Sequence, residues 1–170
     1  MLFGVDLERI KSAIDNQDMS VVDAAREKDP DEFDSTLDDG EPTVGEALTA
    51  IIKGENIDKT HAHQYGYAFK LMCETLGDWL PDDDMIGDLD PLELNSPLQD
   101  FRSPIAIPAN EDFPYIAFLT AEEAKQESER LSSMDLSFPD NEDIEEAREA
   151  YANCINEAST KGLAVVTFYH

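Results

Sequence analysis

The sequence predicts an α+β fold, a single compact domain over residues 1–170 with about six helices packed on a small sheet that takes in both chain ends. Three observations predict it. The chain closes on Leu163 to His170, β-branched and aromatic and nearly continuous in apolar character, which is a strand composition. It opens on Leu2 to Val5, a short apolar run suited to an edge or an inner strand and the natural partner of that last strand. Between them, apolar residues recur mostly at helical spacing behind capping residues. At 170 residues the chain is long enough for a real core.

After the first strand, Asp6 caps a helix with Leu7, Ile10 and Ile14 on its inner face. Ser20 with Asp23 marks a second short helix holding Val21, Val22 and Ala25 inside, and Asp29-Pro30 stops it. Asp31 to Pro42 is mostly acid and predicts a loop, with a helical turn around Phe33 and Leu37 and a turn at Asp39-Gly40. As a calcium loop it fails, because Ser35 and Leu37 stand where the first and third carboxylates belong. Thr43 and Glu46 form a capping box for a helix carrying Val44, Ala47, Leu48, Ile51 and Ile52, ended by Gly54.

The next helix is the centre of the prediction. Tyr65, Ala68, Phe69, Met72, Cys73 and Leu76 fall on one helical face. Lys70 and Glu74 fall off that stripe and are expected in water. Asp58 or Thr60 can cap the start, Gly77 ends the stripe and Pro81 forbids continuation. Burying Tyr65, Phe69, Met72 and Leu76 is worth roughly 1.5–3 kcal/mol each, against an ordering cost of roughly 1–2 kcal/mol per residue. Other elements must therefore cover the stripe.

Residues 81–114 form an irregular proline-rich connection, either a functional loop or packed irregular structure. Within it Asp82, Asp84, Gly87, Asp90 and Glu93 match part of an EF-hand loop, but Ile86 breaks the ligand pattern and Pro91 the exit. Phe113 to Leu119 is a strand or a buried extended segment. Thr120 and Glu123 open another helix with Ala121, Ala124 and Leu131 inside. The last helix faces inward with Ile144, Ala147, Tyr151, Cys154, Ile155 and Ala158 and closes at Lys161-Gly162.

The formal charge of −27 bounds the function. It repels nucleic acid and anionic membrane surfaces, and it favours solubility and basic partners. A saline habitat or simple solubility would give the same number. Cys73 and Cys154 are too few for a disulfide framework, and both are expected reduced and buried. The opening lacks a basic, apolar signal segment and no run reaches about 20 apolar residues, which points to a cytoplasmic location.

No G-x-S-x-G, P-loop or G-x-G-x-x-G occurs, and no catalytic residues are assigned. The expectation is a non-catalytic interaction protein, of immunity or inhibitor kind, binding a basic protein through Asp31, Glu32, Asp34, Asp38, Asp39, Asp82, Asp83 and Asp84. The alternative is a small-molecule- or metal-binding domain or enzyme, with a candidate pocket of His61, His63, Tyr65, Tyr67 and His170 at the start of the central helix. His61-Ala62-His63 can chelate a metal in extended backbone, but in a helix residues two apart point away from each other. No H-E-x-x-H or C-x-x-C supports it, so no metal and no cofactor is assigned.

Tyr115 to Ala124, followed by Leu131 and a second helix, resembles the C-terminal half of the YfbM-like bacterial proteins of unknown function. The ending Ala158-x-x-x-Gly162 to Tyr169 is similar to that family's last helix and strand, and the opening strand with Val5 to Ile10 also fits. Gly66-Tyr67-Ala68 and Cys73-Glu74-x-Leu76-Gly77 resemble a related bacterial group. The resemblance covers about half the chain, implies a small α+β fold and implies no activity.

Overall fold

The computed structural model describes residues 1–36, 38–55, 58–80, 86, 89, 92–107, 114–138 and 141–169. Seven α-helices and a four-stranded sheet appear among them, the α+β class that the sequence predicts. The chain's contacts divide into two compact units.

The first unit comprises Met1–Val5, Asp78–Arg102 and Ile116–Tyr169 and carries the sheet. Its strands are β1 (Leu2–Val5), β2 (Asp78–Trp79), β3 (Tyr115–Leu119) and β4 (Ala164–Tyr169), in the order β2-β1-β4-β3. The expected pairing of the two terminal strands is present. β1 runs antiparallel to β4, with Leu2 opposite Thr167 and Val5 opposite Ala164. Met1 and Phe168 extend the ladder by exchanging main-chain hydrogen bonds. β2 adds an edge that the sequence did not announce, two exposed residues with Trp79 opposite Phe3.

Helices α6 (Ala121–Ser132) and α7 (Glu142–Lys161) complete this unit. The Thr120–Glu123 capping box opens α6, and Asn141 accepts from the Asp143 and Ile144 amides at the head of α7. Gly162 closes α7 at φ +68, where a side chain would be strained. The apolar core takes Ala117 and Leu119 from β3, Leu131 from α6, and Tyr151, Cys154 and Ile155 from α7. Ile86, Leu89, Leu92, Leu94 and Leu98 are buried in the same core. Leu98 lies in a 3-10 turn, Pro97–Gln99.

The second unit holds Asp6–Gly77 and Ser103–Tyr115. It contains α1 (Leu7–Asp15), α2 (Ser20–Lys28), α3 (Pro30–Phe33), α4 (Val44–Lys53) and α5 (Ala62–Leu76). α3 is the helical turn expected near Phe33. Asp29, read as a stop signal, also caps it by accepting from the Glu32 amide. The α4 capping box forms as the sequence predicts.

α5 is the central helix of this unit, packed against α4 and α2. Tyr65, Ala68, Phe69, Met72 and Cys73 are buried on the expected stripe, and Leu76 is half-buried. Burial extends beyond the stripe to Gln64, Leu71, Lys70 and Glu74. Lys70 and Glu74 were expected in water. They are inside because α3 supplies Glu32 as a further partner for the ammonium. The carbonyls at the end of α5 take basic donors, with Lys28 donating to Glu74 O and Arg9 to Leu76 O.

Candidate functional site

The head of α5 gathers three ionisable side chains from separate stretches. Asp58 caps a 3-10 turn, Lys59–His61, that leads into α5. His61 is the residue before the helix, with φ −115° and ψ 30°, and His63 lies in the first turn. Because His61 is outside the helix, the two imidazoles are not splayed as helical neighbours two apart would be. Both reach Glu41, which ends the acidic segment just ahead of α4.

His61 Nδ1 lies 3.3 Å from Glu41 Oε1, and His63 Nε2 lies 2.9 Å from Glu41 Oε2. One carboxylate therefore bridges two imidazoles, whose rings stand edge to face with centroids 6.5 Å apart. The Glu41 side chain is 15% exposed, that of His63 17% and that of His61 29%. The His63 hydrogen bond, above all, holds the Glu41 carboxyl below the usual carboxylate range. Partial burial opposes it, and His61 pulls in the same direction as His63. Gln64 is 1% exposed, and neither its amide nitrogen nor its amide oxygen has a hydrogen-bond partner within reach.

Of the candidate pocket residues, the structure brings His61 and His63 together. Tyr65 is buried in the helix's apolar face and Tyr67 is half-buried. His170 lies outside the described residues. Glu41 and Gln64 were missed. Glu41 looked like one more acid in an acidic run, and nothing local marks Gln64.

A second ionic cluster sits further along α5. Lys70 Nζ lies 2.9 and 2.8 Å from the two Glu32 carboxylate oxygens and 2.9 Å from Glu74 Oε1. Burial lowers the Lys70 pKa, but the Glu32 and Glu74 hydrogen bonds outweigh it and the net shift is upward. Asp29, Glu32 and Glu74 offer ligand atoms mutually within 4.8 Å. The Lys70 ammonium already satisfies two of the three, so this trio has its cation built in. Cys73, next to it, is buried and free, and burial pushes its thiol well up, away from nucleophilic character.

The candidate partner-binding acids separate into two groups. Glu32 is half-buried and committed to Lys70. Asp31, Asp34, Asp38 and Asp39 are exposed, and no cation among the described residues pairs with them. Asp82, Asp83 and Asp84 lie outside the described residues, as do Gly87 and Asp90 of the partial calcium pattern.

The first unit has its own buried polar network. Tyr151 donates to Glu127 Oε1 at 3.2 Å and shares a 2.5 Å hydrogen bond with Ser96. Arg130 grips the same Glu127 through two 2.7 Å bonds. Burial drives the Tyr151 phenol far up, so it stays neutral. Every group here has a partner, which is the signature of a structural network.

The arrangement defines an α+β protein with exposed aspartates between α3 and α4 and a carboxylate–imidazole cluster. Residues 1–170 match the family described as "Domain of unknown function (DUF7691)", and the chain belongs to that family. No curated protein and no solved structure matches it. No helix of the described residues is long and apolar enough to cross a membrane.

Proposed function

We propose that the chain is a cytoplasmic, non-catalytic interaction module that binds a basic protein, as an immunity or inhibitor protein does. The observation that carries this reading is the sorting of charge within one stretch. Glu32 turns inward onto Lys70 and Glu41 onto two histidines, while Asp31, Asp34, Asp38 and Asp39 stay exposed without a cation among the described residues. Acids needed for the fold find hydrogen-bond partners internally, and those left outside are free for a partner. On a chain of net charge −27, such carboxylates steer a basic partner and repel nucleic acid and anionic membranes. Asp82, Asp83 and Asp84 join the proposal on sequence alone. The YfbM-like kinship belongs to it as well, supported by the opening strand and helix and the closing helix and strand.

The test is capture from a native lysate at low salt, with the chain and its Asp31→Asn/Asp34→Asn/Asp38→Asn/Asp39→Asn variant run side by side. The reading expects one basic protein in a stoichiometric complex that salt dissociates and that the variant captures at least tenfold less. Equal capture by the variant, or only abundant basic proteins in no fixed ratio, would sink it.

A further inference from the structure

We propose that the cleft lined by α1, α2 and the end of α5 binds a small zwitterion, an α-amino acid with a short uncharged side chain. The cleft lies within the second unit and shares no residue with the exposed aspartates or the imidazole cluster. The inference stands apart from the interaction reading.

The two charges on the cleft wall carry it. Arg9 of α1 and Asp18, in the turn before α2, both line the cleft, yet they form no ion pair with each other. Arg9 Nη1 donates to Leu76 O at 3.1 Å, and its guanidinium pairs with no carboxylate among the described residues. In a chain with 39 acids and 12 lysines and arginines, a guanidinium left without a carboxylate is the exception. Asp18 accepts the Ser20 amide and hydroxyl at 3.1 and 2.6 Å, both on Oδ1, which leaves Oδ2 without a partner among the described residues. Those Ser20 bonds hold the Asp18 carboxyl below the usual carboxylate range, so it stays charged. One cleft thus presents a cation and an anion that do not satisfy each other. A ligand carrying both a carboxylate and an ammonium complements the pair, with the guanidinium taking the carboxylate.

The remaining lining agrees. Ser12 Oγ accepts from Asn16 Nδ2, which leaves its proton for a carboxylate. Thr75 Oγ1 donates to Leu71 O, which leaves its lone pairs for an ammonium. The apolar part of the wall is Ala13, Val21 and Ala24, all short side chains. The cleft encloses about 260 Å³, below the roughly 300–1,000 Å³ of sites for drug-sized ligands, so its occupant is small. Charge selects in the same direction. A chain of net charge −27 repels dicarboxylates, whereas a zwitterion brings no net charge.

The experiment is an amide NMR titration of the full chain with L-alanine, L-serine and L-valine. Isovalerate and isobutylamine, each keeping one of valine's two charges, are titrated alongside. At least one amino acid is expected to give saturable shifts at the Arg9, Asp18 and Val21 amides, with each singly charged probe weaker by about tenfold or more. No saturable shift with any of the three up to about 10 mM overturns the proposal, as does a singly charged probe within tenfold of the best amino acid. Arg9→Gln and Asp18→Asn are each expected to weaken binding by about tenfold, and unchanged affinity in either contradicts the site. Because Arg9 also holds Leu76 O, the singly charged probes on the unsubstituted chain keep the test independent of how the variants fold.

Discussion

Arg102 Nη2 lies 2.8 Å from each carboxylate oxygen of Glu123, and the same guanidinium donates to Phe118 O from Nε and Nη2 at 3.2 and 2.9 Å. The Arg102 amide donates to Ile116 O at 2.8 Å. One residue thus covers two carbonyls of β3, an edge strand of the sheet, and holds the glutamate that caps α6. Covering such carbonyls is a defence against strand-to-strand association. The Arg102→Ala change is expected to cost about 1–2 kcal/mol, with the half-exposed ion pair itself giving no more than about 1. Urea midpoints measure the cost, and light scattering at high concentration reads the uncovered edge.

The same pair sets part of the acid limit. Partial burial pushes the Glu123 carboxyl up, but Arg102 and Thr120 outweigh it and the net value is below the ordinary one. A carboxyl depressed in the folded chain contributes stability that is complete above its unfolded value, about 4.3, and is lost as the pH falls through the folded value. Acid unfolding of the Arg102→Ala variant should therefore be shallower between roughly pH 5 and 3. A parallel curve for the two proteins would deny Glu123 this role.

Gly45 lies in α4 beneath the Phe33 ring, and a Cβ there would overlap the ring's Cε1, Cζ and Cδ1. Alanine is the better helix former by about 1 kcal/mol, yet overpacking costs about 1–3 kcal/mol. Phe33 is buried, and Arg26 stacks on its ring at 4.6 Å, which limits its retreat. Gly45→Ala is expected to destabilise, and pairing it with Phe33→Leu should recover most of the loss. Stabilisation by Gly45→Ala alone would show that the ring moves freely.

Much of this fold was legible because local chemistry and long-range packing agree. Thr43 with Glu46 and Thr120 with Glu123 mark helix starts that need no tertiary information, and the β-branched run of Ala164–Tyr169 reads as a strand at sight. Asp78–Trp79 was not legible, since two exposed residues carry no period and become a strand only because Phe3 and Gly4 lie opposite. Lys70 and Glu74 misled for a physical reason. Off-stripe charges usually meet water, and the Glu32 that draws Lys70 inward is distant in sequence. The site was half legible. His61 and His63 stood out by type, but their spacing argues against convergence unless His61 leaves the helix. Glu41, which joins them, is indistinguishable from its acidic neighbours in the sequence.

Lys70 gives the largest expected effect. It is 7% exposed, between Glu32 and a Glu74 that is 8% exposed. Lys70→Met leaves that carboxylate pair without its cation and should cost about 3–5 kcal/mol. Replacing all three as Lys70→Met, Glu32→Gln and Glu74→Gln should recover most of it, because the neutral set strands no charge. Thermal unfolding of both variants measures this, and a triple variant no more stable than the single one would contradict the charge argument.

The most direct test of the cluster at the head of α5 is the carboxyl titration of Glu41, followed by carbon NMR. The bridge to His63 and His61 requires a midpoint below the ordinary glutamate value of about 4.3, moving up toward it in His63→Ala. An ordinary midpoint in the unsubstituted chain, indifferent to His63→Ala, would mean that Glu41 does not hold the two imidazoles together.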